Sequence, residues 1–350
     1  MNATAQFFAE QAQGRKHLTG ILYVLVAIFA IVSLGFGPAG WDWRLSIAWL
    51  MPDYFEQFSQ LQINVVTQIR LPRFILAVIV GAVLAQTGAA TQALCRNPLA
   101  DPSIIGVSGG AAVMAVGVIA MSSKFGFNPD VWLPYAAFAG ALIVTLLVYQ
   151  FSKRNGEISV TTLILIGVAF NALSMAFIGL FSFYADDSSL RLITYWTMGS
   201  LGGAGWSSIM QALPLLLISF AGIYIKRNDI NMMLLGEAEA RYLGINVKKI
   251  KAQTVVLVAL GVGAVVAMAG MIGFVGLVVP HITRLIVGPN MRHLVPACAL
   301  VGSIVLLISD WLSKVVVAPA ELPIGIITAI LGAPMFVYLL HKLQLGVSRA

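Results

Sequence analysis

Ten runs of mostly apolar residues, each near the length a helix needs to cross a bilayer, constrain this chain more than any other feature. They cover roughly residues 18–37, 71–94, 103–122, 131–150, 159–184, 206–225, 250–270, 272–287, 294–313 and 322–342. Inside hydrocarbon every backbone N–H and C=O must be paired within the protein, and helices do this segment by segment. The expected fold class is therefore an all-α polytopic membrane protein with about ten transmembrane helices. The chain has 350 residues, of which 59% are hydrophobic and 10% charged, against about 25% charged in soluble domains. The spans consume most of the length, so residues 1–350 read as a single transmembrane domain with no second, soluble one. The polar start, 1–17, precedes the first span without a small-residue cleavage pattern and reads as the lead-in to an anchor. The eighth run is short, and its join to the seventh passes through Gly270 and Gly273; the second could begin as early as Gln62.

Lys and Arg orient the chain. With the N-terminus in the cytoplasm, fifteen of the 21 fall on the cytoplasmic side, and the reverse orientation inverts that bias. Both termini are expected in the cytoplasm, and the +7 net charge records topology rather than nucleic-acid binding. Cys95 and Cys298 read as small buried residues. Gly81 and Ala85, Gly106 and Gly110, and Gly263 and Ala267 stand four apart, a spacing that lets helix backbones approach closely. No G-x-x-x-x-G-K-[ST] occurs, so any ATP-derived work must come from a partner. Ion-coupled transporters carry ionisable residues within their spans. Here Asp310 lies near the outer end of the ninth span, Glu321 is placed to cap the tenth, and the deep spans are almost free of charge.

One polar break is informative. "RNPLADPSIIGVSGG" at 96–110 separates the second and third spans. Pro98 and Pro102 cannot continue a helix, while Asp101 and Ser103 can cap the next one. A polar break followed by glycines puts irregular backbone at membrane depth, which is tolerated where protein or a water-filled cavity shields it. That suits the wall or gate of a path.

"RLPR" (70–73), "RNPLADPSIIGVSGG" (96–110), "YWTMGSLGG" (195–203), "LGEAEARYLGIN" (235–246), "GFVGLVVPHITRL" (273–285) and "AELPIGIITAILGAP" (320–334) occur in this order. Together they resemble the FecCD family of ABC-importer permeases, over roughly residues 60–342. The resemblance implies the type II importer permease fold, a homodimer with the pathway on its two-fold axis, two cytoplasmic ATPases, a periplasmic binding protein and an inner-membrane location. It implies no cofactor on this chain and no enzyme activity of its own, ATP-Mg being used by the partner.

Three residue sets follow. The polar segment 226–249 holds a short amphipathic helix in which Glu237 and Arg241, four apart, can pair and which Gly244 ends. By resemblance it couples to the ATPase through Gly236, Glu237, Ala240, Arg241, Leu243 and Gly244. The cytoplasmic gate maps by resemblance to Asn97 and Leu99, and to Val160 and Thr161, where helix capping by Thr161 is the alternative. Arg70, Arg73 and Lys314 match positions that meet acidic residues of the binding protein; Pro72 places a helix start beside them, and lipid anchoring is the alternative. The four histidines lie on or near the cytoplasmic side, with His281 beside Pro280 at an expected helix break, and no carboxylate cluster lies in the spans. A bare metal ion would need such ligands, so the expected cargo is a chelate: haem or a ferric siderophore first, cobalamin behind.

Overall fold

The computed structural model describes residues 3–37, 40–48, 58–154 and 157–347, and they are almost entirely helical. A long first helix, α1 (Ala3–Gly35), leads through a two-residue hairpin (β1 Phe36–Gly37, β2 Gly40–Trp41) to the short α2 (Trp43–Ala48). Helices α3 (Gln60–Val65) and α4 (Leu71–Cys95) run on as one rod. There follow α5 (Val107–Phe125), α6 (Pro129–Phe151), a second hairpin (β3 Lys153–Arg154, β4 Glu157–Ile158), α7 (Val160–Tyr184), α8 (Asp187–Thr197) and α9 (Trp206–Met233). The chain closes with α10 (Glu237–Tyr242), α11 (Val247–Ala269), α12 (Val275–Val287), α13 (Met291–Val315) and α14 (Ile324–Val347).

Eight helical stretches are long and apolar enough to cross a membrane, and α12 and the first part of α14 are shorter apolar helices. Each of the ten expected spans coincides with one of them. The ends of the first two spans differ from the apolar runs. The polar start is helical from Ala3 and continuous with the first span, so α1 is about 50 Å long and overshoots a hydrocarbon core of about 30 Å. The second span does not begin at Pro72. It begins at Gln60, behind a capping box in which Ser59 and Gln62 exchange hydrogen bonds.

Pro72 then has a local consequence. It has no N–H, and its ring would strike the carbonyl four residues back. The rod responds with a π turn, Val66–Arg70, in which the Leu71 N–H reaches back to the Val66 carbonyl. That leaves the Thr67 carbonyl free of the ladder, and the Trp206 indole Nε1–H donates to it at 2.9 Å. A backbone defect in one span thus becomes a tie to α9.

Helix α4 is the axis of the bundle. Every residue from Val80 to Leu94 is buried, with α13, α9, α12 and α11 packed around it. Small residues make this possible. A Cβ on Gly81 would meet the Gly302 carbonyl of α13, and one on Gly88 would meet Gly276 of α12. In the same way Gly110 of α5 abuts Gly140 of α6. The expected partner of Gly110, four residues back, behaves differently: Gly106 has φ +79 and forms a turn ahead of α5.

Backbone breaks cluster rather than scatter. Helix α12 has 13 residues, about 20 Å, too short to cross alone, so the break from Gly270 to Phe274 falls inside the bilayer. It is met there by two other irregular segments. Ser200 N–H donates to Ala269 O at 2.8 Å; Ile324 and Gly325 N–H donate to Gly199 and Met198 carbonyls at 3.0 and 3.1 Å. The break precedes α12, at the Gly270–Gly273 join read from the sequence, whereas Pro280 and His281 sit inside that helix, which corrects the expected break there. Helix α8, absent from the ten spans, is amphipathic and capped by Asp186, whose carboxylate accepts from the Ser189 N–H at 2.7 Å. That bond holds the Asp186 carboxyl well below the usual carboxylate range.

The packing predicts a contrast between glycines. Gly302→Val drives a side chain into the backbone of α4 and is expected to destabilise the fold by about 2 kcal/mol or more. Gly179→Ala in α7, where nothing lies within 4 Å, is expected to be neutral or slightly stabilising, since Ala favours helix by about 1 kcal/mol. Thermal unfolding of the detergent-solubilised protein checks the pair.

Candidate functional site

Two clusters of charge stand at opposite ends of the bundle. At the end where α4 stops and α5 begins, the loop 96–106 folds on its own side chains. Arg96 ends α4 in the left-handed region, φ 47, and Asn97 accepts the Leu99 N–H on its side-chain oxygen at 2.9 Å. Asp101 accepts from Ser103 N–H at 2.8 Å and starts a 3-10 turn, Pro102–Ile105. This re-entrant turn lies against α7: Asn171 Nδ2–H donates to Ser103 O at 3.0 Å, and Gly167 faces the Ile104 carbonyl with no room for a Cβ. The expected gate residues therefore sit on two elements that are packed together. Asn97 and Thr161 are exposed, Leu99 and Val160 half-buried. The cap of α7 is Ser159, whose hydroxyl accepts from Thr162 N–H, so the capping alternative for Thr161 is removed.

The short helix α10 projects from the same end. Gly236 before it and Gly244 after it have φ +127 and +82, conformations that an L side chain rarely adopts. Ala240 faces inward and is fully buried. Outward it presents Leu235, Leu243 and Tyr242, the last 92% exposed. Tyr242 was not among the expected coupling residues; an aromatic between Arg241 and Leu243 on a helix with few buried residues was the available signal. Arg241 and Glu237 form the expected i,i+4 pair, at 3.9 Å, and each also has a closer partner. Arg241 reaches Glu157 of the β3–β4 hairpin at 2.7 Å, and Glu237 takes the buried Lys251 of α11.

At the opposite end the expected docking residues are drawn inward. Arg73 is 7% exposed. Its Nε–H donates to Asp310 at 2.8 Å and its Nη1 to both Glu321 oxygens at 2.8 and 3.0 Å. Lys314 pairs with the other Asp310 oxygen at 2.6 Å, and Arg70 donates to the Leu34 carbonyl at 2.7 Å. Two cations and two carboxylates close a neutral knot among α4, α13 and the loop before α14. Buried charge demands a partner, and in the single chain Arg73 and Lys314 find theirs in Asp310 and Glu321. Glu321 serves this knot rather than a helix cap.

The knot predicts an order of effects. Arg73→Met strands buried Asp310 with only Lys314 and is expected to cost about 3 kcal/mol. Glu321→Gln removes a carboxylate whose side chain is 44% exposed and screened, and is expected to cost less than about 1 kcal/mol. Unfolding midpoints of the two variants, measured side by side, check the ranking.

The FecCD transport family matches residues 25–342. The hemin transport system permease protein HmuU of Yersinia pestis is 38% identical over 328 residues, 93% of this chain and 95% of that protein. The vitamin B12 import system permease protein BtuC of Citrobacter koseri is also 38% identical, over 96% of this chain and 97% of its own. A solved structure of an inward-facing metal-chelate type ABC transporter superposes with a TM-score of 0.82 at 33% identity, covering 93% of this chain and 99% of that one. The interrupted helices, the re-entrant 96–106 loop and these matches along nearly the whole length have one reading: the chain belongs to the FecCD transport family and is an ABC-importer permease of the type II fold.

Proposed function

We propose that two copies of this chain form the membrane path of an importer that carries an intact iron chelate, haem or a ferric siderophore, across the bacterial inner membrane. Two ATPase subunits bind at the end bearing α10, which is cytoplasmic together with both termini. A periplasmic binding protein delivers cargo at the end bearing Arg70, Arg73 and Lys314. For Arg73 to meet a binding-protein carboxylate it must exchange Glu321 for it.

The observation that carries the ATPase contact is α10. An exposed Tyr242 flanked by Leu235 and Leu243, on a six-residue helix framed by glycines, is a compact apolar knob beyond the spans. Aromatic side chains of this kind dominate the energetics of protein interfaces. The path itself is supported by α7. It has no charged residue or histidine from Val160 to Tyr184, and it leaves Leu165, Val168, Met175 and Phe183 exposed in the single chain. Such a face is covered by a second copy or by lipid, and it offers a bulky apolar chelate few strong ligands to bind. Among the described residues no group of three or more His, Cys, Asp or Glu is placed to hold a metal ion, which favours cargo whose metal is already wrapped. Cobalamin is the second reading, supported by relatives named for vitamin B12 import that are as similar as the hemin permease.

Reconstitution tests this. The chain, placed in liposomes with its ATPase and binding protein, is expected to take up haem or a ferric siderophore only with ATP. Uptake of cobalamin alone moves the cargo to the second reading. Uphill uptake by the purified chain on an ion gradient, with no ATPase, sinks the proposal. Tyr242→Ala is expected to weaken ATPase association at least tenfold, since truncating an interface anchor costs about 2 kcal/mol.

A further inference from the structure

Lys251 is the fifth residue of α11 and is 3% exposed, while Lys248 and Lys249 before it are exposed. A buried ammonium is costly unless it is paired and hydrogen-bonded. Lys251 has both kinds of partner, and they lie on different elements. Its Nζ pairs with Glu237 Oε1 at 2.5 Å, at the first residue of α10. It also donates to the Ile158 carbonyl at 2.9 Å, in β4. Ile158 is followed directly by Ser159, the cap of α7, and then by Val160 and Thr161. A second link runs alongside. Arg241, at the other end of α10, pairs with Glu157 at 2.7 Å, one residue before Ile158. The hairpin is closed onto α7 by Ser159 N–H, which donates to Ser152 O at 3.1 Å.

We propose that Lys251, together with the Glu157–Arg241 pair, forms a relay that makes α10 and the mouth of α7 move as one body. Lys251 is then a positioning residue for the gate. The relay rests on the reading of α10 as the ATPase contact and of Val160–Thr161 as part of the gate. The physical reason is the cost of the intermediate state. If α10 were displaced while the hairpin stayed, Lys251 would lose either its carboxylate or its carbonyl inside the protein, and Arg241 would lose Glu157. Displacing all three elements together keeps every bond. Covalent continuity alone would not do this, because α10 is separated from α7 by the whole of α8 and α9.

The test uses the full complex with its ATPase and binding protein in liposomes, and reads cargo transported per ATP hydrolysed. Lys251→Met keeps the apolar stem and removes the charge. It is expected to hydrolyse ATP within about twofold of wild type and to transport about tenfold less per ATP, a factor equivalent to about 1.4 kcal/mol. Glu157→Arg alters a pair that is half exposed, so the fold should tolerate it. It is expected to lower the transport ratio several-fold, and Arg241→Glu added to it is expected to restore at least half of the loss. A purely structural staple would lower the unfolding midpoint without changing the ratio, and that outcome overturns the relay. So does a reversed pair that recovers nothing, including where Lys251→Met fails to assemble. A wild-type chain that neither binds the ATPase nor transports with it refutes the proposed function instead, whatever the variants do.

Discussion

Backbone hydrogen bonding inside a bilayer is the constraint on which the rest of this structure depends. A helix that breaks in hydrocarbon leaves N–H and C=O groups that water cannot reach. This chain breaks several helices there and makes the breaks answer one another. The turn after α8 bonds the end of α11 through Ser200 and Ala269, beside the Gly270–Phe274 interruption, and bonds the start of α14 through Ile324 and Gly325. The π turn caused by Pro72 hands its spare Thr67 carbonyl to Trp206. Glycines at 199, 270 and 325 allow backbone to touch backbone at these points. The irregularity that a path requires is thereby held in fixed places.

Charge follows a similar economy. With 10% charged residues, few ions are spare. Those buried at the two ends each tie several elements: Arg73 with Asp310, Glu321 and Lys314 at one end, Lys251 with Glu237 and Ile158 at the other. Between them the bundle relies on small-residue packing about α4. The result is a membrane core with a pinned rim at each face, and a working surface at each rim where the pins are partly exposed.

Among the described residues, two exposed surfaces bear on the proposed function. One is the charge-free face of α7, and the other is the Tyr242 knob of α10. The first suits a symmetric copy across a shared path, and the second suits a protein outside the membrane. A permease needs both, and the β3–β4 hairpin lies between them, bonded to each.

The spans were legible in the sequence because apolar length is a local property, and so was the capped break at 96–106, because Pro and Asp act within a few residues. The break at Gly270–Phe274 was legible for the same reason. Helix α8 was missed because eleven amphipathic residues do not register as a span, and the true start at Gln60 was only a possibility because Pro72 reads as a beginning. The partners of charges were not legible. Glu237 and Arg241 have helical spacing, yet each found a better mate 14 and 84 residues away, in Lys251 and Glu157. Arg73 looked like a surface residue until Asp310, 237 residues on, lay beside it. The sequence by itself determined where the apolar helices of this protein lie. Only the tertiary structure decided which charge answers which, because long-range proximity depends on the packing of whole helices and no local pattern records it.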